Sequence, residues 1–469
     1  MDLLRVPSNP NKQLKEEFVS NLTGSSLLEI AALSFIVPAL MVLRHWSGSA
    51  SAIERESMQK KNDKFTVHRE EWRNYTVSLV VDFLCIVFPI LLVFTVLAEW
   101  VYTCTICLML MLFFCILAKR SNSSVINFKE GSKELSHLRT SISSFRVSVM
   151  IVTCLCILAV DFKIYPRRYA KTETYGTGLM DLGVGSFVVA NALVSRQARN
   201  SLPMRWKDAI QSTSPLMLLG IGRLISTTGV NYQVHVGEYG VHWNFFFTLA
   251  AVTLLTSIVN IHPRHCGIVG SLILIAYQIC LLKGLNEYLL SNRRDMNIIS
   301  QNKEGLFSVF GYWGMYLLGV HLGHYLFFSN RTDAVIQSDM WARIRVWFLC
   351  ITLWLLTLIL DKYVERVSRR MCNLAYVTAV LAQNFQVLSV VMLSDFLPGK
   401  KPSTLEEGFN KNLLGAFLLA NILTGLVNLY VDTLSVTPAA AFGILLGYAF
   451  VLCAVTGFAS FCGVKFKFW

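Results

Sequence analysis

Apolar runs long enough to cross a bilayer follow one another along almost the whole chain. About thirteen such runs of roughly 20 residues are legible. They cover 26–46, 76–97, 98–118, 146–165, 178–195, 210–228, 241–260, 266–283, 305–328, 341–360, 373–396, 410–430 and 436–460. A backbone inside lipid must satisfy its own hydrogen bonds, so runs of this length fold as helices. The expected fold class is an all-α polytopic membrane protein. Composition agrees, with 54% hydrophobic and 15% charged residues, which excludes an ordinary soluble domain and leaves no nucleic-acid partner to expect. The least secure divisions are that of 98–118 from its neighbour and the run 210–228, which contains Arg223.

Three regions follow from this pattern. Residues 1–25 form an N-terminal segment, 26–460 a single transmembrane domain, and 461–469 a short basic tail. The segment before the first run is polar and mixed in charge, so that run is expected to act as an uncleaved anchor. An odd number of crossings places the two termini on opposite sides. With the N-terminus lumenal and the C-terminus cytosolic, the Lys and Arg residues lean towards the cytosolic loops, in the positive-inside direction. Lys467 and Lys465 then stand third and fifth from a cytosolic end. That is a dilysine-type pattern, read by cytosolic coat proteins for retrieval to the endoplasmic reticulum.

Most of the twelve cysteines lie inside apolar runs, where they behave as small hydrophobes rather than as a disulfide framework. Cys104 and Cys107 make a C-x-x-C inside a membrane run without a second pair, so no metal or redox site is expected there.

The chemistry concentrates in residues 159–189, AVDFKIYPRRYAKTETYGTGLMDLGVGSFVV. An apolar run ends in Asp161; a loop with Pro166 gathers Lys163, Arg167, Arg168, Lys171 and Glu173; Asp181 opens the next run. Charges at the mouth of membrane helices are costly and are functional candidates by default. Positive residues that resist the insertion rule recur on the same side, as Arg293 with Arg294 and as Arg366 with Arg369 and Arg370. Arg167, Arg168, Arg369 and Arg370 are therefore candidate phosphate ligands, with lipid-headgroup contact as the plainer alternative. Asp181 either binds a substrate hydroxyl or caps a broken helix. His242 begins a run beside Glu238, with Asn244 two residues on. An imidazole is the side chain whose ordinary titration lies nearest neutrality, so His242 is a candidate base, the alternative being an interfacial anchor. His262, His265, His321 and His324 fall on the other side or within a helix and are read as non-catalytic.

The 159–189 string closely resembles the signature of the GPI inositol-acyltransferase family. So, in the same order, do residues 15–24, 231–248, 302–312, 367–376 and 418–428. The resemblance implies an enzyme of the endoplasmic-reticulum membrane. It would transfer a long-chain acyl group, palmitoyl-CoA being the expected donor, to the inositol of glucosaminyl-phosphatidylinositol. Acyl-CoA enters as co-substrate and no metal or other cofactor is implied. Transfer from a thioester to an alcohol needs a base for the hydroxyl proton and a cation or donor for the oxyanion. The resemblance points to Asp161 and Lys171 as the catalytic candidates, with Asp161 as base and Lys171 as the cation; the alternative reading of the two residues is a structural ion pair closing a helical hairpin. His242 is the rival base, and Glu173, Glu238, Asn244 and Asp181 join the arginines as substrate-binding candidates. The alternative class is a multispanning transporter with the same charges along its pathway; no inverted repeat is evident, and the polar strings favour one face.

Overall fold

The computed structural model describes residues 17–18, 20–56, 64–122, 134–200, 206–228, 236–291, 293–328, 339–396 and 402–464. Lys465 and Lys467 lie outside them. Each of the expected apolar runs falls on a helix: α1 Leu27–Ser47, α2 Glu70–Phe94, α3 Ala98–Ala118, α4 Thr140–Ala159, α5 Leu179–Leu193, α6 Trp206–Thr228, α7 Phe245–Val259, α8 Pro263–Leu290, α9 Lys303–Phe328, α10 Trp341–Tyr363, α11 Leu374–Ser394, α12 Leu413–Tyr430 and α13 Pro438–Phe461. The fold among the described residues is helical apart from one isolated bridge, Ser25 to Thr177.

Ten of these helices, rather than about thirteen, are both long and apolar enough to cross a membrane. The physical reasons differ. Helices α5 and α7 are too short to span one by themselves. Helix α6 is 23 residues long but carries Lys207, Asp208 and Arg223 together with an internal Pro215. The doubtful division of α2 from α3 is real, because the chain turns through Thr95, Val96 and Leu97.

Helix α11 is the hub. It is buried along nearly its whole length, from Ala375 to Val391, and packs against α10, α1, α5 and α4. Gly185 allows the approach of α5: a Cβ there would lie 2.7 Å from Val380 Cγ1. Several helix starts carry their own caps. Asn373 accepts from Tyr376 N at 3.0 Å before α11, and Thr437 with Pro438 opens α13.

Contacts between loops define two polar ends. At one end Arg168 meets Glu29 and Glu99, Asn428 meets Asp161, and Tyr175 meets Glu365. At the other, Arg44 pairs with Asp82 at 2.7 Å and His45 with Glu406. There too, Gln197 donates to Ile261 O and Asn412 to Val464 O. The described N-terminal residues join the first end and Val464 the second, so the chain traverses the bundle an odd number of times. All twelve cysteines are free.

Candidate functional site

The first end is built on the signature loop. Gly176, at φ 109, returns the chain beneath the N-terminal segment, where a Cβ would lie 2.0 Å from Thr23 O. Ser25 N donates to Thr177 O at 2.9 Å and Asn21 N to Glu173 Oε2 at 2.7 Å. Glu173 is thus spent partly on anchoring the N-terminal segment.

A chain of charges runs through the loop. Lys171 Nζ donates to Glu238 Oε1 at 2.8 Å, and Arg369 Nη1 donates to the same oxygen at 3.1 Å. Arg369 Nε reaches Asp181 Oδ1 at 2.8 Å. The Asp181 carboxylate also accepts from Gly178 N at 2.7 Å and Thr172 Oγ1 at 3.0 Å. These contacts hold the Asp181 carboxylate in the signature loop at the start of α5. Burial alone would raise the Glu238 carboxyl, but the Lys171 and Arg369 cations, with Arg223 adding to the field, hold it well below the ordinary carboxylate range. Burial works against charge on Arg369 as well, yet Glu238 and Asp181 keep it protonated far beyond the ordinary range.

The remaining arginines also have protein partners. Arg168 Nε and Nη1 donate to Glu29 and Glu99 at 2.9 and 2.7 Å. Arg370 Nη2 donates to Glu304 Oε1 at 3.0 Å, and Arg294 Nη2 to the same oxygen at 2.6 Å. Arg167 stacks over Phe18, 3.9 Å from its ring centre, and gives Nη2 to the carbonyl of Val160 at 2.7 Å. Burial pushes this guanidinium down to about 10, against the pull of Tyr165 and Asp161. Its Nη1 is buried and makes no hydrogen bond. Of the arginines named as phosphate ligands, Arg167 through Nη1 and Arg370 through Nε each keep a buried donor in reserve.

Asp161 and Lys171 face the same end but take different partners. Asp161 Oδ2 accepts from Asn428 Nδ2 at 2.7 Å, whereas Lys171 is drawn to Glu238. The Lys171 side chain keeps 39% of its surface exposed, so its ammonium is accessible while Arg369, at 4%, is not. His242 is exposed at the same end, and its backbone N–H donates to Asn302 Oδ1 at 2.8 Å. Asn244 does not serve it. Its Oδ1 caps α7 through Phe246 N and Phe247 N, and its Nδ2 donates to Gly220 O at 2.9 Å. His321 Nδ1 and His324 Nδ1 donate to Pro263 O and Ala198 O, at the opposite end.

Two carboxylates and an amide were not singled out from the residues. Glu304 gathers Arg294 and Arg370, and Glu365 accepts from Gln278 Nε2 at 2.7 Å and Asn373 Nδ2 at 3.1 Å. Asn428 holds Asp161. The available signal was the same for each: a polar side chain at the end of an apolar run needs a partner across the bundle.

Comparisons with known proteins cover these same elements. The GWT1 family model matches residues 11–459. An uncharacterized protein of Arabidopsis thaliana is 52% identical, over 93% of this chain and 100% of its own. The phosphatidylinositol-glycan biosynthesis class W protein of Dictyostelium discoideum is 32% identical over 97% of this chain and 98% of its own. The GPI-anchored wall transfer protein 1 of Schizosaccharomyces pombe is 33% identical over the same shares, 97% and 98%. The match takes in every helix from α1 to α12 and most of α13, with the whole charged end between them, and the chain belongs to the GWT1 family.

Proposed function

We propose that this protein is an O-acyltransferase of GPI-anchor biosynthesis in the endoplasmic-reticulum membrane. It transfers a long-chain acyl group, palmitoyl by expectation, from acyl-CoA to an inositol hydroxyl of glucosaminyl-phosphatidylinositol. The observation that carries the reading is the family match over residues 11–459, to relatives whose names place them in phosphatidylinositol-glycan biosynthesis and GPI-anchored wall transfer. The gathering of acidic and basic groups at one end of a membrane bundle supports it.

In this reading the charged end is lumenal. Asp161 takes the inositol hydroxyl proton as the oxygen forms its bond to the thioester carbonyl carbon. The exposed Lys171 ammonium steadies the resulting oxyanion. Collapse of the tetrahedral intermediate breaks the C–S bond, and the proton passes from Asp161 to the departing sulfur, giving the acylated inositol and CoA thiol. His242, at the same end, is the alternative base. Arg167 Nη1 offers a donor to a substrate phosphate, while Arg369, Arg370, Asp181 and Glu238 hold the frame on which the loop rests. Retrieval by coat proteins through Lys465 and Lys467 belongs to the same proposal.

The test is release of CoA thiol by purified protein given palmitoyl-CoA. Release should depend on added glucosaminyl-phosphatidylinositol and stop with Asp161→Asn. Thiol release at the same rate without the lipid would mean simple thioester hydrolysis and would contradict the assignment.

A further inference from the structure

Asp161 lies just past the end of α4, in the turn that opens the signature loop. Its Oδ2 accepts a hydrogen bond from Asn428 Nδ2, 2.7 Å away on the last turn of α12. The same nitrogen donates to Thr424 O, one turn back on its own helix, at 3.2 Å. Both partners are acceptors, so the atom facing them is the amide nitrogen and its two hydrogens are both engaged. The amide is thus braced against its own helix while it presents one hydrogen to the carboxylate. Over Leu413–Tyr430, α12 carries no charged side chain, and Ile422 and Leu429 on it are more than 60% exposed. An asparagine at the end of so apolar a helix is costly without a partner, and Asp161 is that partner.

The geometry points to Asn428 as a positioning residue for acyl transfer, fixing the plane of the Asp161 carboxylate against which the inositol hydroxyl docks. This rests on Asp161 being the base. A neutral amide suits the task better than a cation would. It orients the carboxylate and favours its ionised form without cancelling its charge, and so leaves it able to accept a proton. The charged groups near Asp161 are Lys163 and Arg167 of its own loop. Helix α4 contributes Arg146 towards its far end, α5 contributes Asp181, already paired with Arg369, and Asp432 follows α12. Helix α13 brings none.

The experiment is turnover against pH for the purified full chain with palmitoyl-CoA and glucosaminyl-phosphatidylinositol, comparing Asn428→Ala, Asn428→Asp and Asp161→Asn. Removing the donor makes the Asp161 carboxylate hold its proton more tightly. A base works deprotonated, so the acid limb of kcat should move to higher pH. Turnover at neutral pH should fall about tenfold, the rate equivalent of one hydrogen bond to a charged group, with KM little changed. Asn428→Asp, nearly the same shape, should move the limb further because two carboxylates in contact share a proton. It also carries the test if Asn428→Ala yields too little folded protein. A native profile and native kcat in both Asn428 variants, with Asp161→Asn inactive, would overturn the positioning role and leave the base in place. Normal turnover in Asp161→Asn would remove the base itself, and the role of Asn428 with it.

Discussion

Lys171 Nζ stands 2.8 Å from Glu238 Oε1, tying the signature loop to the short helix Val236–Tyr239. Folding therefore gathers two cations on one carboxylate, since Arg369 reaches the same oxygen. The arrangement leaves Lys171, the exposed member, as the cation that can turn towards a substrate.

A pH signature follows from Glu238. Burial opposes its ionisation, but Lys171 and Arg369 outweigh it and hold the folded carboxyl below the ordinary 4.5. A depressed value means that the stabilisation is fully present above 4.5 and is lost as pH falls below that towards the folded value. Glu238→Gln should melt below the native protein at neutral pH, and the two melting temperatures should converge on acidification below 4.5. A gap that does not change with pH would mean that the ion pairs contribute nothing.

Arg369 and Asp181 make a buried pair, with side chains 4% and 0% exposed. Arg369→Met leaves the Asp181 carboxylate buried without its cation and should cost about 3–5 kcal/mol of stability. Adding Asp181→Asn removes the stranded charge, so the double variant should be more stable than Arg369→Met by itself. Additive losses in thermal unfolding would show that the two residues act independently.

The catalytic assignment is tested by turnover. Asp161→Asn keeps the shape and loses the proton affinity, so kcat should fall at least about a hundredfold. Lys171→Met should be comparably damaging, since one oxyanion contact contributes roughly 3 kcal/mol. The double variant should fall well short of the product of the two losses, because the residues act as one unit. If both single variants fold and turn over normally while His242→Ala is inactive, His242 is the base and the Asp161 and Lys171 contacts are structural.

Orientation can be read by glycan mapping. The loop 431–437 joins α12 to α13 at the same end as Asp161, and Asn122 closes the helix Val101–Asn122 at the other. An Asn-x-Thr sequon grafted into 432–436 should be glycosylated in microsomes, while native Asn122 should stay bare. Glycan on Asn122 would reverse the orientation.

Much of this architecture was legible because membrane helices are written by length and hydropathy. All the runs from 26–46 to 436–460 became helices, and the charged end was visible as polar strings on alternate loops. Three runs gave helices that do not meet both requirements of length and hydropathy: a window of apolar residues does not show that α5 and α7 stop short, whereas the charge in α6 was already visible as Arg223. The pairing of charges was harder to read. Asp161 and Lys171 are ten residues apart across a reversing loop, which suggests a pair. The actual partners, Asn428 and Glu238, are 267 and 67 residues away. Only the packing of α12 and of the Val236–Tyr239 helix on the loop brings them in. Arg369 and Arg370 read as free cations for the same reason: Asp181 and Glu304 neutralise them from other parts of the chain.

The most direct measurement is the mass of the lipid product. Purified protein should be incubated with palmitoyl-CoA and glucosaminyl-phosphatidylinositol, and the lipids resolved by tandem mass spectrometry. Acyl transfer predicts a species heavier than the lipid substrate by one palmitoyl group less one hydrogen, with the added ester on the inositol ring fragment and absent with Asp161→Asn. Recovery of the lipid unchanged by active, folded protein, or an acyl group found on the glucosamine nitrogen instead, would contradict it.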